Sequence, residues 1–252
     1  MIFFTMILLG ILLGFAGAGG AGLTITLLTV GFNVPIHTAL AVALSAMSFT
    51  MLSGTISHFR EGDVKLHIGI TIGCFGMLGA AAGAQVSNIM PTKSLTTGTA
   101  AMLLLSTAFL YIVLFRQEKL QSLINKHAVK ATGLKFYIYS ICIGTITGFL
   151  SGAFGIGATV FIQISLILFL GLSLYHAIGT TMLIILPISF SGGFSYLLNG
   201  HLDVIIFLQT ICGLTIGSYA GAKLTRMASK NVLRYIVISM PTIGGLLLLC
   251  KN

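Results

Sequence analysis

Charge is scarce in this chain. Only 7% of its 252 residues are Asp, Glu, Lys or Arg, against about 25% in an ordinary soluble domain. A chain that is 56% hydrophobic cannot cover a water-facing surface with so few charges, which excludes a soluble enzyme or a soluble binding module. Carboxylates are scarcer still. Glu61, Asp63, Glu118 and Asp203 are the only acids, and each falls in or beside a loop between apolar runs. None is left for the bilayer centre, where cation pumps and proton antiporters usually keep one. A metal-cation or sodium carrier is disfavoured on that ground, although backbone carbonyls could still bind sodium. The cysteines Cys74, Cys142, Cys212 and Cys250 lie far apart within apolar runs and have neither metal-ligand nor redox spacing. Paired carboxylates, a metal-ligand cluster and a Gly-x-Ser-x-Gly elbow are also missing. The chain is therefore read as no enzyme, with no catalytic residues, metal or cofactor expected. The opening Met1-Ile2-Phe3-Phe4 lacks the positive region of a signal peptide, so the first segment is read as structure.

What the chain has in abundance is apolar length. A crossing of the roughly 30 Å hydrocarbon core takes about 20 apolar residues. The spans 2–32, 37–58, 65–88 and 94–115, then 135–172, 175–199, 203–224 and 232–250, predict an all-α, polytopic membrane protein. Nine of its thirteen Lys and Arg residues fall between Arg116 and Lys135 or between Lys223 and Arg234. Because these clusters sit between apolar runs, the positive-inside rule explains them, and no nucleic-acid partner is expected. The predicted organisation is an N-terminal transmembrane repeat (1–115), a basic cytoplasmic linker (116–134) and a C-terminal transmembrane repeat (135–252).

The two halves echo each other. Gly10, Gly14 and Phe15 match Gly144, Gly148 and Phe149; Gly17, Gly20 and Gly22 match Gly152, Gly155 and Gly157. His37 pairs with His176, Gly54 with Gly193, Asp63 with Asp203, and Gly79 and Gly83 with Gly217 and Gly221. Glycines held in step while loops drift are the signature of a tandem duplication. Each half then begins with one long glycine-interrupted segment followed by three ordinary spans. The charges favour an inverted second half, because parallel halves would put Lys223, Arg226, Lys230 and Arg234 outside the cell. Inversion needs an odd number of crossings per half, supplied if each broken segment is a hairpin. The 38 residues of 135–172 suffice for two shortened crossings turning near Gly152 to Gly157. A plain parallel repeat of eight spans is the alternative.

Glycine in a helix costs about 1 kcal/mol relative to Ala, and broken backbone at membrane depth is tolerated only where it is buried or lines a cavity. A short helix starting after the break aims its free N–H groups and positive dipole end into that space, which favours an anion. Close helix packing is the competing use of such glycines. It is preferred for Gly10, Gly14, Gly144 and Gly148, whose four-residue spacing makes one smooth face. Gly19, Gly20, Gly22, Gly155 and Gly157 are taken as the substrate-binding set. His37 and His176 join them as proton carriers or hydrogen-bond donors, with Ser48, Thr180 and Gln163 as path-lining polar groups. An interfacial histidine and a hydroxyl bonded to its own helix are the structural alternatives.

The glycine-rich segment Gly10 to Gly22, its echo at Gly144 to Gly157, the two halves and the basic central loop together resemble the TauE/SafE family of sulfite and organosulfonate exporters. That resemblance implies a permease of the bacterial or archaeal inner membrane that moves small sulfur-containing anions such as sulfite or sulfonates, usually outward. The family's glycine motif maps onto Gly17, Gly19, Gly20 and Gly22, and in the second half onto Gly152, Gly155 and Gly157, with Phe154 standing where the first half has Gly19. The expected partners are a small anionic substrate and the lipid bilayer. Coupling to protons or sodium and a homodimer are allowed. An anion channel, a permease for another anionic metabolite and a non-transporting subunit are the alternative functions.

Overall fold

The computed structural model describes residues 1–16, 21–115, 133–225 and 230–251. All regular structure among them is helical: α1 (Ile2–Ala16), α2 (Ala21–Thr26, running on as a π-helical turn, Leu27–Gly31), α3 (Ile36–Arg60), α4 (Leu66–Ile89), α5 (Thr92–Phe115), α6 (Leu134–Phe154), α7 (Thr159–Leu170), α8 (Leu174–Leu198), α9 (Val204–Thr225) and α10 (Lys230–Cys250). Within the described residues, α3, α4, α5, α6 and α8 are long and apolar enough to cross a membrane. Exposed Phe, Leu and Ile side chains stud the outside of the bundle, Phe4, Ile70, Ile146, Phe190 and Ile205 among them, as a surface facing lipid requires.

The long glycine-interrupted segment of the second half divides where glycine was expected to divide it. In the second half, α6 stops at Phe154, Gly155 to Ala158 form the break, and α7 restarts at Thr159. Gly155, Gly157 and Ala158 all have left-handed φ values, of 67°, 71° and 48°, which is why two of the three are glycine. Tyr139, near the start of α6, stacks on Phe169, near the end of α7, with ring centroids 5.3 Å apart, so the two helices form a hairpin. In the first half, Gly17 to Gly20 and the rest of that break lie outside the described residues, as do 116–132 of the basic linker.

Glycine columns bring helix backbones into direct contact. On α4, Gly76, Gly79 and Gly83 face Gly144, Gly148 and Gly152 of α6. A Cβ built on Gly144 would stand 2.5 Å from the Ile72 carbonyl oxygen, and one on Gly148 would collide with that of Gly76. On α1, Gly10 sits against α9, where an added Cβ would approach the Leu214 carbonyl oxygen to 2.8 Å and the Gly217 Cα to 3.0 Å. The packing reading of Gly10, Gly144 and Gly148 therefore holds. α1 runs parallel to α9 and α4 parallel to α6, because residue numbers rise together along both seams.

The remaining directions follow from named contacts. Gly54 meets Met182 while Gly193 meets Ser45, so α3 and α8 are antiparallel. Gly69 meets Leu183 and Gly76 meets Ile188, so α4 and α8 are parallel. Gly245 lies on Leu104 while Thr242 reaches Thr107 at 3.5 Å, making α5 and α10 antiparallel. Thr26 donates to the Gly244 carbonyl and Lys251 reaches the Thr29 carbonyl, so α2 follows the direction of α10. Tyr139 near the start of α6 lies on Phe169 near the end of α7, so α7 runs antiparallel to α6, and its Phe161 packs on Phe109 of α5. Helix directions thus alternate through the ten described helices, and α1 and α6, the first helices of the two halves, point oppositely.

A bulky residue in a seam must push two backbones apart, and overpacking typically costs 1–3 kcal/mol even when only side chains give way. Gly148→Leu is expected to destabilise the protein by more than about 3 kcal/mol, whereas Cys142→Leu, on an exposed position of the same helix, should leave it unchanged. Thermal unfolding of the two variants in detergent checks the difference.

Candidate functional site

The break between α6 and α7 is buried and polar in a setting that is otherwise apolar. A side chain on Gly155 would run into Leu40 and Ile25, and one on Gly157 into the Met47 thioether. Since α3 begins at Ile36, Leu40 and Met47 lie about one and three turns inside it, and the break sits at that depth. The helix that follows starts without a cap: Ala158 occupies the N-cap position and no side chain accepts from the first-turn N–H groups. An α-helix leaves its first four N–H groups without intrahelical partners.

Two hydroxyls flank this uncapped start. Ser151, one turn before the break, is fully buried, and its Oγ has no hydrogen-bond partner among the described residues. Thr159, the first residue of α7, likewise has a buried Oγ1 without a partner. An unsatisfied buried hydroxyl costs about 1–3 kcal/mol. The arrangement offers backbone N–H groups, two hydroxyl donors and a positive helix end to a guest carrying several oxygens. Gln163, one turn further along α7, is half-buried and makes no side-chain hydrogen bond among the described residues.

The sequence-based candidates are only partly brought together. Gly155, Gly157 and Gln163 share the break and the turn after it. Ser48 neighbours Met47, but its hydroxyl donates to the Ser45 carbonyl of its own helix at 2.7 Å. Gly22 is buried in α2, where a side chain would strike Leu103 of α5. Gly19 and Gly20 lie outside the described residues. Thr180 is fully buried, and its hydroxyl accepts from the Lys65 backbone N–H at 3.1 Å, tying α8 to the start of α4. His37 and His176 stand at opposite ends of the bundle: the His37 Nε2–H donates to the Ser87 carbonyl at 3.1 Å, and the His176 Nδ1–H to the Asp63 carbonyl at 3.2 Å.

A hydrogen-bonded chain links the break to the His37 end. Tyr196 is fully buried, with its hydroxyl 3.0 Å from the Gly152 carbonyl and 2.7 Å from Ser87 Oγ. The carbonyl can only accept, so Tyr196 donates to it and accepts from Ser87. Beyond Ser87, His37 stacks on His201 at 5.0 Å, and the His201 Nε2–H donates to Asn88 at 2.6 Å. Burial, then the neighbouring His37, push the His201 pKa below its ordinary value. Ser151, Thr159 and Tyr196 were missed by sequence reasoning. Ser151 had a readable signal, since it directly precedes the Gly152-Ala153-Phe154-Gly155 run; Tyr196 had none, because its partners are distant in the chain.

Residues 2–248 match the family model described as Sulfite exporter TauE/SafE. The chain is 44% identical over 250 residues to the probable membrane transporter protein YdhB of Bacillus subtilis (strain 168), covering 99% of each chain. It is 25% identical to the probable membrane transporter protein YunE of the same organism, over 97% of this chain and 96% of the relative. A probable membrane transporter protein of Xylella fastidiosa (strain 9a5c) is 28% identical over 91% of this chain and 86% of its own length. No solved structure matches the chain significantly.

Proposed function

Because the chain belongs to the TauE/SafE family and is a multi-pass membrane transporter, we propose that it moves small sulfur-containing anions such as sulfite or short sulfonates across the cell membrane by alternating access. The observation that carries this reading is the buried, uncapped start of α7. Its N–H groups, with the orphan Ser151 and Thr159 hydroxyls, supply donors and no buried counter-charge. Oxygens of a sulfonyl group would satisfy them, whereas a cation would meet the positive end of the helix.

Alternation of access follows from how the halves are joined. The first helix of each half packs on the fourth of the other, and α3 with α8 and α5 with α10 form antiparallel pairs. This is the pattern expected of two inverted five-helix repeats about an axis in the membrane plane, each opening with a hairpin. Lysine and arginine support the same orientation. The end of the bundle holding the α3–α4 turn carries Arg60, Lys65 and Lys135; α5 and α9 end there and α6 and α10 begin there, so the basic stretches 116–130 and 223–234 fall in sequence between helix ends of that side. Lys93 and Lys251 are left for the opposite end. By the positive-inside rule the first end is cytoplasmic, which makes the His37–His201 end external. In a bacterial host this is the inner membrane.

Two measurements test the reading. In proteoliposomes the wild-type protein is expected to carry radiolabelled sulfite or sulfoacetate, with Ser151→Ala slowing transport about tenfold, the loss of one charge-assisted hydrogen bond, and Gly155→Leu abolishing it in folded protein. Flux of neither anion would return the substrate to open choice. For orientation, reporter fusions should place residue 227 inside the cell and residue 201 outside; residue 227 outside would sink the inverted arrangement.

A further inference from the structure

The closing turns of α3 and α8 share one backbone design. The Asp63 N–H bonds to the His58 carbonyl at 3.0 Å and the Gly62 N–H to that of Phe59 at 3.1 Å; the His201 N–H bonds to Tyr196 at 3.0 Å and the Gly200 N–H to Leu197 at 3.0 Å. Both are Schellman closures, with Gly62 and Gly200 at φ 81° and 74°. His58, Glu61 and Asp63 therefore occupy the positions of Tyr196, Asn199 and His201. Each turn is abutted by a histidine from the first turn of the facing helix, His176 in one case and His37 in the other.

The chemistry of the two turns differs. At the external end the three positions are neutral and hydrogen-bonded or stacked. At the basic end they bring an imidazole and two carboxylates together. His58 Nδ1 lies 3.7 Å from Glu61 Oε2 and 3.7 Å from Asp63 Oδ2, and the three donor atoms lie within 4.8 Å of one another. That nitrogen is shielded from solvent and makes no hydrogen bond; in the tautomer protonated at Nε2 its lone pair is free for a metal. Ligands about 2.1 Å from a tetrahedral zinc ion stand about 3.4 Å apart, a spacing that small side-chain rotations reach from here. One nitrogen and two carboxylate oxygens suit a zinc-like ion with water in the fourth position, whereas calcium would want six or more oxygens. His176 gives its Nδ1–H to the Asp63 carbonyl and lies 3.8 Å from Asp63 Oδ1, where it orients the carboxylate from outside the ligand set.

We propose that His58, Glu61 and Asp63 form a binding site for a divalent transition metal of the zinc type at the cytoplasmic end, buttressed by His176. Bound metal would stiffen the closing turn of α3, against which His176 and Gly179 of α8 already pack. This assignment does not depend on the anion reading. An imidazolium held between two carboxylates would use the same positions without metal, and the experiment separates the two.

Tag-free, full-length protein in detergent, stripped with chelator, is titrated with Zn²⁺ by calorimetry, and bound metal is counted by elemental analysis after gel filtration. One saturable zinc per chain is expected. Glu61→Gln and His58→Ala should each weaken binding at least tenfold and His176→Ala about tenfold, while His201→Gln at the equivalent external turn has no effect. Glu61 is 62% exposed, so Glu61→Gln tests the ligand set without threatening the fold. Absence of saturable binding to folded wild-type protein, or binding undiminished in Glu61→Gln and His58→Ala, would overturn the assignment.

Discussion

Everything in this bundle rests on two seams in which helix backbones touch. Lipid is as apolar as leucine, so the hydrophobic effect gives helices in a membrane little reason to associate; close packing and hydrogen bonding must do it. The α4–α6 seam meets this demand with Gly76, Gly79 and Gly83 against Gly144, Gly148 and Gly152, and the α1–α9 seam with Gly10 against Gly217. Each seam joins the first helix of one half to the fourth of the other. Neither half can therefore bury its glycine face alone.

The same seam fixes the position of the break. Because α6 is locked to α4 along its length, the chain has to leave the helix where the glycine column ends, just after Gly152. It does so at Gly155, whose left-handed φ costs a glycine little. The hairpin then places the start of α7 against Leu40 and Met47 of α3, inside the bundle and away from water. Backbone groups freed there can be satisfied only by protein or by a guest. Two buried hydroxyls there, Ser151 and Thr159, have no hydrogen-bond partner among the described residues, and the proposed anion would supply one. Tyr196 and Ser87 extend the polar contact from Gly152 toward the His37 end.

Much of this was legible in the sequence. The scarcity of charge announced a membrane protein, and the glycine pattern pointed to Gly10, Gly144 and Gly148 as packing positions and to a break near Gly155–Gly157, but not to the helices they pack against. Gly10, Gly144 and Gly148 were separable from Gly155 and Gly157 by spacing alone, since every-fourth glycines make a smooth helical face and closely clustered ones interrupt it. The polar residues were less readable. Thr180 and His176 look like path-lining groups in a list of polar positions, yet they tie α8 to the α3–α4 turn. His37 and His176 match in sequence, and matched positions in oppositely directed halves fall at opposite ends, so that pairing does not imply proximity. The His58, Glu61 and Asp63 constellation was hidden because the last turn of α3 and the turn that closes it bring these residues together, and that closure depends on the left-handed Gly62.

The central claim is that an anion occupies the start of α7 beside Ser151. In a background lacking the native cysteines, Ser151→Cys should be labelled by a small anionic methanethiosulfonate carrying a sulfonate group, and sulfoacetate should block that labelling. Labelling that sulfoacetate leaves unchanged, or a cysteine inert to the reagent in folded and membrane-inserted protein, would contradict the account.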